Sequence, residues 1–233
     1  MYIDGIQTGN EWNDLTDYLA GPEILFGVRS WDKATFFDGR INEIRITKGS
    51  HSVAWQKATN YSNIDDLITF SGSVNASTDG TVLLMHMNGI EGSQDFVDEM
   101  GHVISVSGDV SITETESKLG GASASFNAAI GDHLTIDANN DFDFGTGDFT
   151  VELWASLNDT SRIHHLIQLG TLDTGFRLYH YRYGIDLQHF GDNPCFLYVH
   201  TPTHEIDIRT WNHYAVVRKD GEISLFYNGV KHS

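Results

Sequence analysis

Aromatic and polar residues alternate in one short segment of the C-terminal half. Tyr179, Tyr181 and Tyr183 share one face of a predicted strand, because side chains two positions apart on a strand point the same way. Arg182 and Asp186 stand beside this row. Sugars stack their C–H faces on flat rings, while charged and amide groups hydrogen-bond their hydroxyls. The pattern predicts a glycan-binding platform, with a buried aromatic stripe as the alternative.

Two tryptophans extend this prediction to the rim of the platform. Trp12 and Trp31 lie in predicted loops between the N-terminal strands, where an indole ring can stack on a sugar. The prediction requires exposed rings, because a buried ring offers no face to a ligand.

The carboxylates Glu205 and Asp207 are spaced like those that retaining glucanases of the laminarinase type carry on one strand. Those enzymes place a third carboxylate further along the strand, and Arg209 follows here instead. Without that carboxylate, nothing protonates the leaving group. We therefore predict that the protein is not a hydrolase and interpret the segment as an exposed edge strand with a local Glu–Arg pair.

The histidines and the single cysteine indicate structural roles. His164 and His165 are adjacent and should point to opposite faces of a strand, which is wrong for joint ligation of one metal. His200 and His204 are four apart, but a proline between them excludes a helix that would bring them together. Cys195 has no recognisable His or Asp partner and is interpreted as a small buried or loop residue.

Charge excludes some partners. The 233 residues contain 14 Lys plus Arg and 32 Asp plus Glu, which gives a formal net charge of −18. A chain this anionic is repelled by phosphate backbones, so we predict no nucleic-acid partner. No run approaches the roughly 18 apolar residues of a membrane span, so we predict no membrane insertion.

Period-two alternation of apolar and polar residues recurs along the chain. It is clearest in residues 41–46, 149–153, 214–218 and 223–227, each bounded by Gly, Asp or Asn. Many short strands joined by Gly-rich turns predict an all-β sandwich of two antiparallel sheets, a jelly roll. Residues 56–80 are polar and read as a linker.

A strand–turn–strand pattern occurs at both ends of the chain. Residues 2–6 and 226–230 both place Asp-Gly or Asn-Gly between strand residues, and Asp4 and Asn228 are 224 residues apart. This spacing raises the question of an internal repeat, although two such hairpins could also arise by coincidence.

Several motifs resemble laminin G-like, concanavalin A-type jelly-roll domains, of the kind found in tandem in phage tail and bacterial surface proteins. Those resembling the opening three-quarters of such a domain lie in order at residues 81–89, 117–123, 143–154 and 211–218. Residues 37–49 resemble the last long strand of the same domain type. By this resemblance, Trp154 and Trp211 belong to the core.

The resemblance implies a rotated domain order. Residues 1–55 would supply the closing strands and residues 81–233 the opening three-quarters, joined by the linker 56–80. Together they would make one repeat period, either a fragment of a longer array or a true circular permutation. We expect the two parts to close on one another, with strand 40–47 pairing with strand 82–87.

The resemblance also implies a function. It favours a non-catalytic, lectin-like binding or adhesion module, extracellular, on a cell surface or on a virion, whose partners are a glycan or cell-surface ligand and neighbouring repeats. The alternative is a purely structural repeat of a tail fibre or surface assembly. Many relatives hold a structural Ca²⁺, and the matching positions here are Asn42, Asn88 and Asp98. Residues 137–143 form a second oxygen-rich run, for which Asx turns are the simpler interpretation.

Overall fold

Strands make up most of the regular structure of the chain. The computed structural model describes residues 2–3, 6–7, 23–29, 35–61, 80–170, 175–181, 184–189, 198–200 and 207–232. In chain order the strands are β1 (Tyr2–Ile3), β2 (Ile6–Gln7), β3 (Glu23–Phe26), β4 (Asp38–Lys48), β5 (Thr81–Met85), β6 (Ile104–Ser107), β7 (Ser111–Thr113), β8 (Ser123–Asn127), β9 (His133–Asp137), β10 (Phe149–Leu157), β11 (Ile163–Leu169), β12 (Phe176–Tyr181), β13 (Gly184–His189), β14 (Tyr198–His200), β15 (Asn212–Lys219), β16 (Glu222–Tyr227) and β17 (Val230–His232). The same ranges contain the helix α1 (Val53–Tyr61) and a 3-10 helix, Asn140–Phe142.

The strands form two antiparallel sheets, which confirms the predicted all-β jelly-roll sandwich. The larger sheet has the order β17-β16-β15-β10-β4-β8-β7, and β5 pairs with β4 beside this path. The smaller sheet has the order β14-β13-β12-β11-β3-β9-β6, while β1 and β2 pair with each other. The predicted hairpins at both ends are present.

The central strand β10 shows how the alternating pattern builds the sandwich. Val151 and Leu153 point inward and join the apolar core between the sheets. Glu152 and Trp154 alternate with them and lie on the outer face of the larger sheet. All nine residues of β10 are nevertheless buried, so its outer face is covered as well.

The N-terminal segment completes both sheets. β4 lies between β10 and β8 in the larger sheet, and β3 lies between β11 and β9 in the smaller one. The pairing expected between strands 40–47 and 82–87 is present, with Ile44 opposite Met85 and Arg45 opposite Leu84. The wider prediction of one repeat period in permuted order stays a prediction.

Helix α1 overlaps the first residues of the predicted linker 56–80. The hydroxyl of Ser52 accepts a hydrogen bond from the backbone N–H of Trp55 at 3.2 Å, a cap that starts α1. Trp55 Nε1 then donates to Glu152 Oε1 at 3.5 Å, and its ring lies 5.9 Å from the guanidinium carbon of Arg45. These contacts place α1 on the outer face of the larger sheet. Residues 62–79 lie outside the described ranges.

The two framework tryptophans differ in their surroundings. Trp154 is buried as predicted, but on the outer face of the larger sheet, where Lys118 Nζ lies 4.3 Å from its ring centroid. Trp211 is only half-buried and precedes β15, so its assignment to the core is wrong. The reason is that β15 begins after Trp211, and the residues of β15 that face the apolar core are Tyr214 and Val216.

Candidate functional site

The outer face of the smaller sheet carries a row of polar and aromatic side chains. On β12, Phe176 and Leu178 point into the apolar core, so Arg177, Tyr179 and Tyr181 share the opposite face. The neighbouring strand β13 runs antiparallel to β12. It brings two of its side chains to the same face, Asp186 opposite Tyr179 and Gln188 opposite Arg177. These five residues are called the outer row below.

Hydrogen bonds and ring contacts fix the geometry of the outer row. Arg177 Nε donates to Gln188 Oε1 at 2.7 Å, and Arg177 Nη2 donates to the same oxygen. The guanidinium carbon of Arg177 lies 5.3 Å from the ring centroid of Tyr179. His165 on the neighbouring strand β11 also packs against Tyr179, with 5.2 Å between the two ring centroids. Arg177 is therefore held between an amide oxygen and an aromatic ring, the setting that suits its planar cation.

Exposure differs along the row. Tyr179 is only 7% exposed and Asp186 is fully buried, whereas Tyr181 is 37% exposed. The structure thus brings together three predicted residues, Tyr179, Tyr181 and Asp186, and only Tyr181 offers an open ring. The other predicted positions, Arg182, Tyr183, Trp12 and Trp31, lie outside the described residues.

Sequence reasoning missed three members of this surface, Arg177, Gln188 and His165. The signal for the first two was available, because extending the period-two pattern by one step from Tyr179 reaches Arg177 and from Asp186 reaches Gln188. His165 joins through a different strand, β11, whose register with β12 no local pattern reveals.

The three predicted calcium positions lie around β4 and β5. Asn42 Oδ1 accepts the backbone N–H groups of Lys118 and Leu119 at 3.1 and 2.7 Å, and its Nδ2 donates to two carbonyls. Asp98 accepts from the Leu84 N–H at 2.8 Å and twice from His102. Asn88 is exposed. Oxygens of Asn42 and Asp98 already accept protein N–H groups, and the calcium site at the three positions stays a prediction.

The oxygen-rich run 137–143 is organised by short-range turns. Asn139 Oδ1 accepts the N–H of Asp141 at 3.0 Å, and Asp143 Oδ1 accepts the N–H of Gly145 at 3.3 Å. This confirms the interpretation as Asx turns. Within the described ranges, no group of three or more His, Cys, Asp or Glu side chains is arranged to hold a metal ion.

The adjacent histidines point to opposite faces of β11, as predicted. His164 faces the interior, with its ring centroid 5.8 Å from Phe37 and 6.0 Å from His180. His165 faces the outer row. The carboxylate motif differs from the prediction, because Asp207 and Arg209 lie in an exposed turn rather than on a strand, with φ of 58° at Arg209. Glu205 lies outside the described residues.

Comparison with known families agrees with this architecture. Residues 127–233, a little under half of the chain, match the family described as the concanavalin A-like lectin/glucanases superfamily, of laminin G type. This similarity supports a jelly-roll domain of the laminin G-like type. No curated protein and no solved structure gives a significant match. The matched segment begins in β8 and includes β11, β12 and β13, which carry the outer row and His165.

A laminin G-like domain of this superfamily is a carbohydrate-binding or structural β-sandwich. Such domains are generally non-catalytic binding modules and are commonly extracellular, although the superfamily includes glucanases. In the ranges that the structure describes, no helix is long and apolar enough to cross a bilayer.

Proposed function

We propose that this chain is a non-catalytic, lectin-like binding or adhesion module that recognises a glycan through the outer row. The observation that carries the proposal is the exposed ring of Tyr181, at the end of a buried row that contains Arg177, Tyr179, Asp186 and Gln188. The laminin G-like match over the same strands supports it. The protein would act outside the cell, on a cell surface or on a virion.

The chemistry of the row suits a sugar. Tyr181 would stack on the C–H face of a pyranose ring, which exposes alternating apolar and hydroxyl surfaces. Further along the same face, Arg177 contacts Gln188 and Tyr179 and so links β12 to β13. The backbone of Tyr181 is paired with Gly184 on β13, so the strand that carries the exposed ring is already ordered before a ligand binds, which lowers the entropic cost of binding.

The test is a glycan array probed with the whole chain, once with Ca²⁺ and once with a chelator. The variants are Tyr181→Ala and, as a control of matched exposure, Trp55→Ala; Trp55 is 40% exposed and lies in α1, beside the larger sheet. We expect Tyr181→Ala to weaken binding about tenfold, the loss that about 1.4 kcal/mol of stacking produces, and Trp55→Ala to leave it unchanged.

The outcomes separate the proposals. Equal loss in both variants would refute the outer row as the site. Binding to no sugar in either condition would refute the lectin-like function and support a purely structural repeat. In that alternative the similar hairpins β1–β2 and β16–β17 mark successive units of a tandem surface or phage tail protein. Binding lost only with chelator would support the proposed calcium at Asn42, Asn88 and Asp98.

A further inference from the structure

Two buried histidines face each other inside the sandwich, behind the outer row. His164 on β11 and His180 on β12 are opposite one another in the sheet register, and both side chains are fully buried. Their ring centroids are 6.0 Å apart. They are called the histidine pair below. Buried titratable groups without full hydrogen bonding are rare in native proteins, so each requires an explanation.

The contacts of His164 fix its proton. The backbone N–H of Asp38, the first residue of β4, donates to His164 Nδ1 at 3.3 Å, so Nδ1 must be unprotonated. The ring hydrogen of the neutral form therefore lies on Nε2, which is 3.4 Å from Asp159 Oδ1. A second proton would have to go to Nδ1, where it would face the N–H of Asp38. Protonation thus removes the hydrogen bond that ties β4 to β11.

His180 is more isolated than its partner. Both of its ring nitrogens are buried, and neither has a hydrogen-bond partner among the residues that the structure describes. An imidazolium ion at this position would be desolvated, and it would also repel a protonated His164 across the 6.0 Å between the rings. The structure as it stands therefore holds His180 neutral.

In the described part of the chain, the charged side chains that act on the histidine pair are Asp159, Asp38 and Arg162. On β4 and on the loop before β11, the carboxylates of Asp38 and Asp159 favour a charged His164, whereas Arg162 opposes it. For His180 the neighbouring groups are His164, which opposes the charge, and Asp159, which favours it. Asp159 is partly exposed and is also engaged by Ser161 and Arg162, so its attraction is shared and screened.

We propose that the histidine pair is an acid-sensitive switch whose protonation opens this end of the sandwich, where the start of β4 meets β11 and β12. The opening has a defined place, because Asp38 also contacts the loop between β10 and β11. The Asp38 carbonyl accepts the N–H of Asn158 at 3.0 Å, and its carboxylate accepts Asn158 Nδ2 at 2.7 Å. Losing the bond to His164 therefore loosens two loops and two strands together.

The direction of the effect follows from the sign of the pKa shifts. Burial lowers the pKa of His164, and burial together with His164 lowers the pKa of His180 to about 4. Between an unfolded value of about 6.5 and this folded value, the open chain binds more protons than the closed one. Stability contributed by the pair is therefore complete above about pH 6.5 and is lost progressively as the pH falls towards 4.

The switch also reaches the outer row. Tyr179 and Tyr181 flank His180 in the strand and point to the other face. Opening β12 displaces both rings, so ligand release in acid is expected; this last step alone rests on the proposed function. The experiment below uses no ligand, so the switch can be tested whether or not the protein binds a glycan.

The test is hydrogen–deuterium exchange of the whole wild-type chain from pH 7.5 to 4.5, corrected for intrinsic exchange rates. We expect protection of amides in 38–40, 157–164 and 176–181 to fall in acid before that of the remaining sheet. The variants are His180→Leu, which keeps an apolar core, and His164→Asn, which keeps an acceptor for the Asp38 N–H. Each should move the acid midpoint down by about one pH unit.

The control is His86→Gln, which removes a half-exposed histidine that follows β5 and contacts Glu43 rather than the histidine pair. His86 Nδ1 lies 2.6 Å from Glu43 Oε2, and this hydrogen bond raises the pKa of His86, so its removal should not lower the acid midpoint. Uniform loss of protection in the wild type would overturn the proposal. So would acid midpoints in His180→Leu and His164→Asn equal to that of the wild type. If neither variant folds, the wild-type exchange pattern alone decides.

Discussion

A buried carboxylate holds helix α1 against the larger sheet, and its removal gives a sharp test of the fold. Glu152 is 5% exposed. Its Oε1 accepts from Trp55 Nε1 at 3.5 Å and lies 3.8 Å from His51 Nδ1 and 4.0 Å from Arg45 Nε. Its Oε2 lies 3.6 Å from His213 Nε2. Burial alone would raise the pKa of Glu152, yet His213, Arg45 and His51 together lower it.

We predict that Glu152→Gln destabilises the protein by about 2 kcal/mol, because the amide keeps an acceptor for Trp55 but removes the charge. The attraction between Glu152 and Arg45 at 4.0 Å is about 4 kcal/mol at an effective dielectric of about 20. Desolvation of the carboxylate and the 25% exposure of the Arg45 side chain reduce this value. For a chain of this size the thermal midpoint should fall by roughly 4–8 °C.

The assay is urea unfolding at pH 7, followed by tryptophan fluorescence. The control is Glu222→Gln, since Glu222 and Lys231 form an exposed pair at 2.8 Å, which should contribute less than about 1 kcal/mol. Equal losses in the two variants would refute the reasoning. Because the pKa of Glu152 is lowered, its contribution is present above about pH 4.5 and disappears as the pH falls through the folded value. The histidine pair acts at higher pH, so the two effects are separable.

Two further substitutions test the packing around β4. Asn42→Ala should cost about 3 kcal/mol in urea unfolding, because Asn42 is fully buried and its loss leaves two N–H groups and two carbonyls without the partners that it supplies. An equally stable variant would show that water replaces them. Phe37→Ala should cost about 3–5 kcal/mol, because the ring is fully buried and meets Phe126 edge-on at 5.5 Å. A loss below about 1 kcal/mol would mean that the cavity collapses.

The sequence predicted the strands well and their surroundings less well. Alternation in residues 149–153 correctly placed Val151 and Leu153 in the core. The alternation did not reveal the burial of the opposite face, where Glu152 and Trp154 are covered by α1 and the Lys118 side chain. Period-two patterns report which residues share a face, whereas burial of that face depends on segments far away in the chain.

The candidate site shows the same limit. The spacing of Tyr179 and Tyr181 predicted a shared face, which β12 provides. Their different exposure could not be predicted, because both positions have the same residue type and the same strand geometry. Likewise, the opposite orientations of His164 and His165 followed from their adjacency, but the contact of His164 with Asp38 depends on β4, more than 120 residues earlier. Long-range pairing is the information that a local pattern lacks.

Strand β12 connects the two proposals in a way that binding can test. Its inner face carries His180 and its outer face carries Tyr179 and Tyr181, so one backbone segment positions both the buried ring and the exposed one. A ligand that binds only the closed strand must, by linkage, oppose protonation of the histidine pair. A glycan at 100 times its dissociation constant would stabilise the closed form by about 2.7 kcal/mol and move the acid midpoint to lower pH. Acid midpoints that are identical with and without bound glycan would separate the two functions, leaving the switch as a feature of the fold alone.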